Sequence, residues 1–301
     1  MIVIAPLMTH ALIDHPYRLM LASFTLLCAS MLPAHAEGFS ACSDAYYSGI
    51  YPEFTNTKLA QDTQPLCFDG FAVMYSARSR TPLWSAEHLT RERLTQAKTI
   101  DRQDSFHEES RLPRSARASL EDYSGSGYDR GHLAPNADMA TRSQQYDSFS
   151  LANIAPQSPR NNRYIWRNLE EATRDLTEQY GEVYTVTGVA FLGSELTQLD
   201  NRVLVPSHFY KVVYIPALDS AGVYYAPNDE SERVEVISLD ELEANIGIDV
   251  LPILDASRRD DVLALPLKAG EPLGETQVSE TPSWMVFVAA LLKWLVNQLS
   301  A

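Results

Sequence analysis

Short runs of β-branched and aromatic residues recur along the chain. Three of them are rich in Val, Tyr and Phe and are bounded by Gly, Pro and Asp, at 183–193, 208–215 and 222–227. This composition predicts β-strands, and the run FAVMYSA at 71–77 has the same character. Between 86 and 127 the chain is polar, charged and serine-rich without a sustained period, so we expect loops and short helices there.

Two segments carry helical signals. SLDELEANIG at 238–247 predicts a short helix that Ser238 caps and Gly247 ends. The clearest helix is predicted from about Asn161 to Tyr180, before Gly181, because apolar residues follow the spacing of one buried face: Ile165, Leu169, Ala172 and Leu176. Strands and helices together predict an α+β protein with one core between about residues 40 and 256.

A second face of the predicted long helix is polar. Asn162, Trp166, Glu170 and Arg174 recur every four positions, so each is displaced by only about 40° from the last. The same sector also contains Arg163 and Arg167. A solvated face with Glu–Arg pairs would give this pattern, and so would a site that binds an anion.

The stretch YDRGHLAPNADM at 128–139 contains the second candidate. An acid, a permanent cation, a flexible residue and the side chain that titrates near neutrality follow one another as Asp129, Arg130, Gly131 and His132. These residues alone are compatible with either a turn or a catalytic site. The segment ANIAPQSPRNN at 152–162 leads from this stretch into the polar helix face, so both features point to one site.

The N-terminus predicts export. Arg18 precedes an apolar run that ends at Ala34-His35-Ala36, which is the pattern of a secretory signal peptide over residues 1–36, although a retained anchor gives a similar pattern. Export would place the protein in the periplasm or outside the cell. After cleavage two cysteines remain, and a pair in an oxidising compartment predicts a disulfide between Cys42 and Cys67.

The formal charge of −15 excludes a protein that coats nucleic acid by overall attraction. The charge is uneven, since residues 71–180 hold 15 Lys and Arg against 15 Asp and Glu, while residues 193–301 hold 7 against 17. Fourteen of the fifteen cations in the first region are arginine, whose planar fork matches phosphate oxygens. The net charge therefore does not exclude a local phosphate site inside this acidic protein.

The sequence resembles the DNA/RNA non-specific endonuclease family, the ββα-metal nucleases that include secreted bacterial nucleases and endonuclease G. YDRGHLAP followed by NIAPQ, Asn162 and LEEATR has the spacing of that family, and the similarity spans about residues 65–256. The resemblance implies a central, mainly antiparallel sheet flanked by helices. It also implies Mg²⁺ as cofactor, with Mn²⁺ as an alternative, and DNA and RNA as substrates.

The family's functional residues map onto this chain by position. The resemblance implies that His132 is the general base and that Asn162 is the metal-binding side chain. Glu170 would hold water bound to the metal, and Arg174 would bind phosphate. The other charged motif residues expected in the site are Asp129 and Arg130.

Four further assignments are looser. The resemblance implies that Arg80, in RTPLW, is a second phosphate-contacting arginine and that Asn153 is a polar residue of the substrate site. Arg163 and Arg167 on the polar helix face are expected to bind substrate. Some members carry an asparagine where this chain has Phe149, so no role carries over at that position.

The chain ends in an apolar segment, 284–301, behind a Pro- and Gly-containing stretch at 257–283 that we interpret as a linker. This segment predicts a helix that docks on the domain, contacts a membrane surface or binds a partner. Residues 37–64 are expected to form an N-terminal arm and residues 65–256 the nuclease domain. A homodimer is left open.

Three functional hypotheses fit the residues. The first is an exported Mg²⁺-dependent endonuclease that hydrolyses DNA and RNA without regard to the sugar. The second is a nucleic-acid-binding module on the same fold that lacks turnover. The third is a phosphodiesterase for a smaller exported substrate, which would use the same residues in a narrower groove.

Overall fold

Antiparallel β-structure organises residues 38–274, the part of the chain that the computed structural model describes. The predicted signal peptide and the predicted C-terminal apolar helix lie outside these residues. Thirteen strands occur in the described part: Glu53–Phe54 (β1), Thr63–Phe68 (β2), Phe71–Ser76 (β3), Thr81–Thr90 (β4), Asp129–His132 (β5), Ile154–Gln157 (β6), Glu182–Ala190 (β7), Gln198–Leu199 (β8), Val203–Leu204 (β9), His208–Ile215 (β10), Ser220–Pro227 (β11), Glu235–Ile237 (β12) and Ile248–Asp249 (β13).

Seven of these strands form the central sheet, in the spatial order β12-β11-β10-β7-β4-β3-β2, and every pairing in it is antiparallel. The predicted strands at 71–77, 183–193, 208–215 and 222–227 are confirmed as β3, β7, β10 and β11. Strand β4 extends to Thr90 and so enters the region predicted as loop and short helix. The remaining strands form two-stranded pairs, of which β5-β6 contains the DRGH motif.

Helices connect and cover the strands. They are Arg91–Ala97 (α1), Leu120–Tyr123 (α2), Arg142–Ser148 (α3), Arg167–Tyr180 (α4), Leu239–Ile246 (α5) and Ala256–Arg259 (α6), with a π-helical turn at Asn161–Trp166 directly before α4. Helix α5 begins where predicted, because the Ser238 side chain accepts a hydrogen bond from the Glu241 amide. It ends at Gly247, which has a left-handed conformation (φ +68°).

The sheet has a hydrophobic core on each face. Along β10, Phe209 and Val213 belong to one cluster, while Tyr210 and Val212 belong to the other, as the alternation of side chains along a strand requires. The first core contains the predicted buried face of α4 and its preceding turn, with Ile165, Leu169, Ala172 and Leu176 all buried. The site motif therefore lies on the α4 side of the sheet.

The predicted arm and part of the predicted linker contribute to these cores. Phe39 and Tyr46 are buried in the cluster on the face away from α4, and β1 pairs with β13. Leu263 and Leu265 are buried with the α4-side cluster. No helix among residues 38–274 is long and apolar enough to cross a membrane.

The predicted disulfide is present in the structure and joins Cys42 to Cys67 in β2 across a sequence separation of 25. Closing a loop of this length restricts the unfolded chain and contributes about 3 kcal/mol of stability. We expect Cys42→Ala/Cys67→Ala to lower the melting temperature by about 6–12 °C, measured by calorimetry. An unchanged melting temperature after complete reduction, verified by mass spectrometry, would contradict this role.

Candidate active site

The DRGH motif lies on strand β5, which pairs with β6 so that Gly131 faces Ala155 and His132 faces Ile154. A Cβ atom at Gly131 would lie 2.1 Å from Gln157 Oε1 and 2.7 Å from Gln157 Cβ. Gly131 lies inside strand β5, so the turn that was left open for these residues does not occur at Gly131. Glycine is required there because the Gln157 side chain lies against the strand.

The imidazole of His132 is held between two aromatic rings. Its centroid lies 5.5 Å from that of Phe106 and 5.0 Å from that of Phe149. Burial lowers the pKa of His132 to about 3, and the nearby cations Arg102 and Arg130 act in the same direction. The ring is therefore neutral at neutral pH, and its buried Nε2 has no hydrogen-bond partner among the described residues.

Asn153 does not reach the surface, which corrects its predicted contact with substrate. The side chain is completely buried. Its Oδ1 accepts hydrogen bonds from Ser85 Oγ at 2.7 Å and from the Ala134 amide at 3.0 Å, and its Nδ2 donates to the carbonyls of Ala134 and Ser148. Asn153 thus ties the residues that follow His132 to strand β4 of the central sheet.

Asp129 links the motif to the long helix. Asn162 Nδ2 donates to Asp129 Oδ2 at 2.9 Å, and Arg163 binds the same carboxylate through Nε at 2.8 Å and Nη2 at 2.6 Å. Although burial pushes the pKa of Asp129 upward, these hydrogen bonds lower it below its usual value. The carboxylate fixes the Asn162 amide, whose Oδ1 makes no hydrogen bond within residues 38–274. Two of the guanidinium nitrogens of Arg163 are used in this ion pair.

The turn that contains Asn162 is wider than an α-helical turn. In a regular α-helix, Asn162 and Glu170 would be displaced by about 80° around the axis. The π-helical bonding of Asn161–Trp166 makes each step around the axis smaller, so it reduces this displacement and brings both side chains toward one face. The prediction of a helical segment ending at Gly181 is confirmed, but its first turn differs from the regular geometry assumed from the sequence.

Glu170 and Arg174 lie further along the same face. Burial raises the pKa of Glu170 to about 7, although Arg174 and Lys211 oppose the shift. Arg174 is anchored by a 2.9 Å ion pair with Asp138, a buried carboxylate. A second cation holds the Asp138 backbone, since Arg93 Nε donates to the Asp138 carbonyl at 2.8 Å. This network fixes the Arg174 guanidinium beside Glu170.

Eight of the predicted site residues meet in one cleft of about 870 Å³, which neither Arg80 nor Asn153 lines. Among its lining residues are His132, Asn162 and Glu170. Six cations line it, against four acids: Lys98, Arg102, Arg130, Arg163, Arg167 and Arg174 against Asp104, Asp129, Glu170 and Glu171. The cleft is therefore cationic in a protein of formal charge −15, which suits a polyanionic ligand.

Arg80 is not brought to this cleft. Its guanidinium donates to the Ser115 carbonyl at 2.9 Å, and its backbone has a left-handed conformation (φ +56°). The cleft instead contains Arg102, which sequence reasoning missed, on the long connection after α1. Phe106 and Asp138 were also missed. Arg102 and Phe106 stand in a connection without a periodic or motif signal, and Asp138 stands in the DRGH stretch, where no local pattern indicates that it pairs with Arg174.

Among residues 38–274, no group of three or more His, Cys, Asp and Glu side chains forms a metal cage. The other three histidines of this region lie outside the cleft and stack on tyrosines: His88 on Tyr184, His107 on Tyr146 and His208 on Tyr225. The free Oδ1 of Asn162 and the Glu170 carboxylate are hard oxygen donors, and Mg²⁺ commonly binds through one or two such protein groups while it keeps several waters. The donor set of the cleft therefore fits Mg²⁺.

Comparison with known proteins relates the chain to nucleases. The family model for DNA/RNA non-specific endonucleases matches residues 52–257. Nuclease C1 of Cunninghamella echinulata var. echinulata is 35% identical over 216 residues, which are 65% of this chain and 86% of that protein. Mitochondrial endonuclease G of Homo sapiens is 34% identical over 206 residues, which are 61% of this chain and 68% of that protein.

A solved structure confirms the predicted fold. The crystal structure of the EndoG/EndoGI complex contains a chain that superposes with a TM-score of 0.56 at 26% identity, covering 64% of this chain and 88% of that chain. The architecture predicted from the resemblance, a central antiparallel sheet flanked by helices, is present here. The chain therefore belongs to the DNA/RNA non-specific endonuclease family and is a nuclease, an enzyme that hydrolyses phosphodiester bonds.

Proposed function

We propose that this protein is an exported, Mg²⁺-dependent endonuclease that cleaves DNA and RNA internally, with His132 as general base. The observation that carries the proposal is the meeting of a neutral His132, an oriented Asn162 amide and the Glu170 carboxyl in one cationic cleft. Each group supports a different requirement of phosphodiester hydrolysis. Mn²⁺ is an alternative ion for the same donors.

The chain's own residues supply the proton transfer and part of the charge stabilisation. His132 accepts a proton from the attacking water, an oxygen–phosphorus bond forms, and the bond to the leaving oxygen breaks. Arg130 and Arg174 line the cleft and balance the negative charge that builds up on the phosphate oxygens. Asn162 Oδ1 would bind Mg²⁺ and Glu170 would hold water bound to that ion, which when bound acts as a Lewis acid toward the phosphate.

Export is supported by the disulfide between Cys42 and Cys67, because such bonds persist in oxidising compartments. The signal peptide itself lies outside the described residues, and so does the apolar segment that could contact a membrane or a partner. We propose a periplasmic or secreted location. We also keep a homodimer and a membrane contact through the C-terminal segment as proposals.

Incubation of the purified protein with supercoiled plasmid and with structured RNA tests the proposal. We expect Mg²⁺ to support the appearance of nicked and linear plasmid and of RNA fragments, and a chelator to abolish both. Internal cutting gives nicked circles, which an enzyme that needs a free end cannot produce. Binding of plasmid without cutting under Mg²⁺ or Mn²⁺ would favour the non-catalytic binding module.

Salt dependence separates the nuclease from a phosphodiesterase for small substrates. A strand that contacts several cations of the cleft releases counterions, so its apparent affinity falls steeply between about 50 and 200 mM salt. We expect KM for plasmid to rise by at least tenfold over this range. A small diester that contacts one phosphate site would show only a shallow dependence, and the same shallow dependence for plasmid would favour the small-substrate reading.

The acid limb of the pH–rate profile is expected to report Glu170 rather than His132. Since burial raises the pKa of Glu170 to about 7, its carboxylate is lost as the pH falls through that value, and a bound cation would move the limb lower. His132, with a pKa of about 3, stays neutral across this range. At pH values below the apparent pKa of this group, we expect kcat/KM to fall about tenfold per pH unit.

Glu170→Gln provides the control for this pH profile. Its residual activity is expected to lack the acid limb, because glutamine does not titrate. Persistence of an unchanged limb in Glu170→Gln would show that another group, His132 included, sets it. Rates should be compared at constant ionic strength and saturating Mg²⁺.

A further inference from the structure

One side of the cleft is formed by a connection that has almost no secondary structure of its own. Residues 98–119, between α1 and α2, contain one β-bridge, from His107 to Ser150, and no helix or strand. Three residues of this connection line the cleft: Arg102, Asp104 and Phe106. We call residues 100–109 the cleft wall. Because the wall has few backbone hydrogen bonds of its own, its position depends on side-chain contacts.

Phe106 makes the contacts between the cleft wall and the proposed catalytic groups. Its ring centroid lies 5.5 Å from the imidazole centroid of His132 and 4.8 Å from the ring centroid of Phe149. The guanidinium carbon of Arg130 lies 4.2 Å from the same ring. A shift of the wall would therefore change the surroundings of both the proposed general base and a cation of the cleft.

The cleft wall is bound to the segment that supplies the second aromatic ring beside the imidazole. The His107 amide donates to the Phe149 carbonyl at 3.2 Å. Two residues further along the wall, Glu109 Oε2 accepts a hydrogen bond from the Ser150 hydroxyl at 3.0 Å. The side chains of Phe106 and Glu109 thus contact this segment before and after the main-chain bond at His107.

Glu109 is a buried carboxylate, with only 5% of the residue exposed. Its Oε1 accepts from the Arg111 amide at 3.0 Å and from Arg111 Nε at 2.8 Å, and its Oε2 also accepts from Arg111 Nη2 at 2.9 Å. Although burial raises the pKa of Glu109, the bonds from Arg111 hold it below its usual value. Because apolar side chains of similar volume often stabilise a fold as well as a buried ion pair does, stability alone does not require this arrangement.

Arg111 connects the cleft wall to the hairpin of β2 and β3. Its Nη1 donates to the Cys67 carbonyl at 2.7 Å, and its guanidinium carbon lies 4.2 Å from the ring centroid of Phe68. The hairpin belongs to the central sheet, and the disulfide joins Cys67 to Cys42. Arg111 therefore ties Glu109 to a fixed part of the sheet.

We propose that Glu109 is a positioning residue of the nuclease. Through Arg111 and Ser150 it fixes the cleft wall, and the wall holds Phe106 against His132. Glu109 does not line the cleft, so it acts on the reaction through other residues. The inference rests on the proposed role of His132 and adds a residue outside the cleft on which that role depends.

Substitution of Glu109 in the purified protein tests the inference. Glu109→Ala removes both carboxylate oxygens, while Glu109→Gln keeps one acceptor at almost the same volume. Since a displacement of about 1 Å can cost about 100-fold in rate, we expect Glu109→Ala to lower kcat for plasmid cleavage under Mg²⁺ by about 10–100-fold. The kcat of Glu109→Gln should lie between those of Glu109→Ala and the wild-type protein. Rates are compared at temperatures at which calorimetry shows each variant to be folded.

An NMR measurement distinguishes positioning from a loss of stability. The imidazole proton resonances of His132 are assigned by their absence from His132→Ala, and the neighbouring aromatic rings shift them. Because the Phe106 ring lies beside this imidazole, we expect Glu109→Ala to move these resonances. Glu109→Gln should move them less, in the same order as the rates.

Glu243→Ala is the matched control. Glu243 pairs with Arg259 Nη2 at 2.7 Å, so this substitution also breaks a carboxylate–arginine pair. Glu243 does not line the cleft, and its helix α5 packs on the face of the sheet away from α4. We expect wild-type kcat and unmoved His132 resonances in this variant.

Arg111→Met decides the question if Glu109→Ala does not fold. Arg111 is exposed, with 42% of its side chain accessible, and its substitution breaks the same ion pair from the outside. We expect a lower kcat and moved His132 resonances in this variant too. Melting temperatures establish that the compared variants are folded.

Three results would overturn the inference and leave the nuclease in place. The first is wild-type kcat in the folded variants of Glu109 and Arg111. The second is a lower kcat with unmoved His132 resonances, and the third is an equal fall of kcat in Glu243→Ala. Failure of the wild-type protein to cleave plasmid under Mg²⁺ or Mn²⁺ would instead overturn the proposed function and this inference with it.

Discussion

Replacement of His132 by alanine is expected to lower kcat for plasmid cleavage by about 10²–10⁴-fold, the range of a general base. Burial lowers the pKa of His132, so the imidazole is neutral at neutral pH and keeps a nitrogen lone pair that can accept a proton. Alanine cannot accept a proton, and Phe106 and Phe149 still occupy their positions around the truncated side chain. The fold should persist, so circular dichroism and the melting temperature are measured beside the rate.

Imidazole in solution separates a chemical role of His132 from a structural one. His132→Ala leaves a slot between two aromatic rings, and free imidazole that enters it can accept the same proton. We expect added imidazole to restore part of kcat in His132→Ala and to leave His208→Ala unaffected. His208 is the matched control, since it is a half-buried histidine stacked on Tyr225 and lies outside the cleft.

Two results would contradict the role of His132 as general base. Activity of His132→Ala above about one tenth of the wild-type rate would show that another group removes the proton. Loss of activity together with a collapse of the melting temperature would assign His132 to the aromatic packing with Phe106 and Phe149. Loss of activity in a folded variant, with rescue by imidazole, is the result that the buried neutral ring predicts.

Local patterns of the sequence were enough to predict the elements that carry the site. The stripe from Ile165 to Leu176 and the stop at Gly181 predict the long helix because the burial of one face and the left-handed cap are local requirements. Ser238 and Gly247 predict α5 for the same reason. The DRGH motif on strand β5 and Asn162 in the turn before α4 line the same cleft, as their spacing in the sequence predicted.

The failures have a common physical cause, which is that a local pattern does not say which way a polar side chain faces. Asn153 stands in a motif, yet it satisfies buried backbone groups after His132. Arg80 bonds the Ser115 carbonyl, while Arg102 enters the cleft from a connection without periodic signal. Asp138 acts at a sequence distance of 36 residues through Arg174, a pairing that only the folded chain creates.

Replacement of Asn162 by alanine is expected to raise the Mg²⁺ concentration for half-maximal cleavage by about 100-fold or more. The expectation follows from the Asn162 Oδ1, a neutral oxygen donor that makes no hydrogen bond within residues 38–274, while Nδ2 donates to Asp129 at 2.9 Å. Loss of a group that only supports a metal ligand usually lowers metal affinity by about 10–100-fold. Loss of the ligand itself should lower the affinity by more. Titration of activity with Mg²⁺ and calorimetric titration of the metal alone both measure it.

Two further substitutions test whether Asp129 acts by orienting that ligand. Asp129→Asn weakens the acceptor for Asn162 Nδ2 and is expected to shift the Mg²⁺ titration by about 10–100-fold. Arg163→Gln removes the other partner of Asp129 but keeps the bond to Asn162, so its shift should be much smaller. Equal shifts in both variants would mean that cleft charge, rather than amide orientation, controls binding. An unshifted Mg²⁺ titration in Asn162→Ala would show that Asn162 does not bind the metal. The proposed role of Asp129, which is to orient Asn162, would then fall as well.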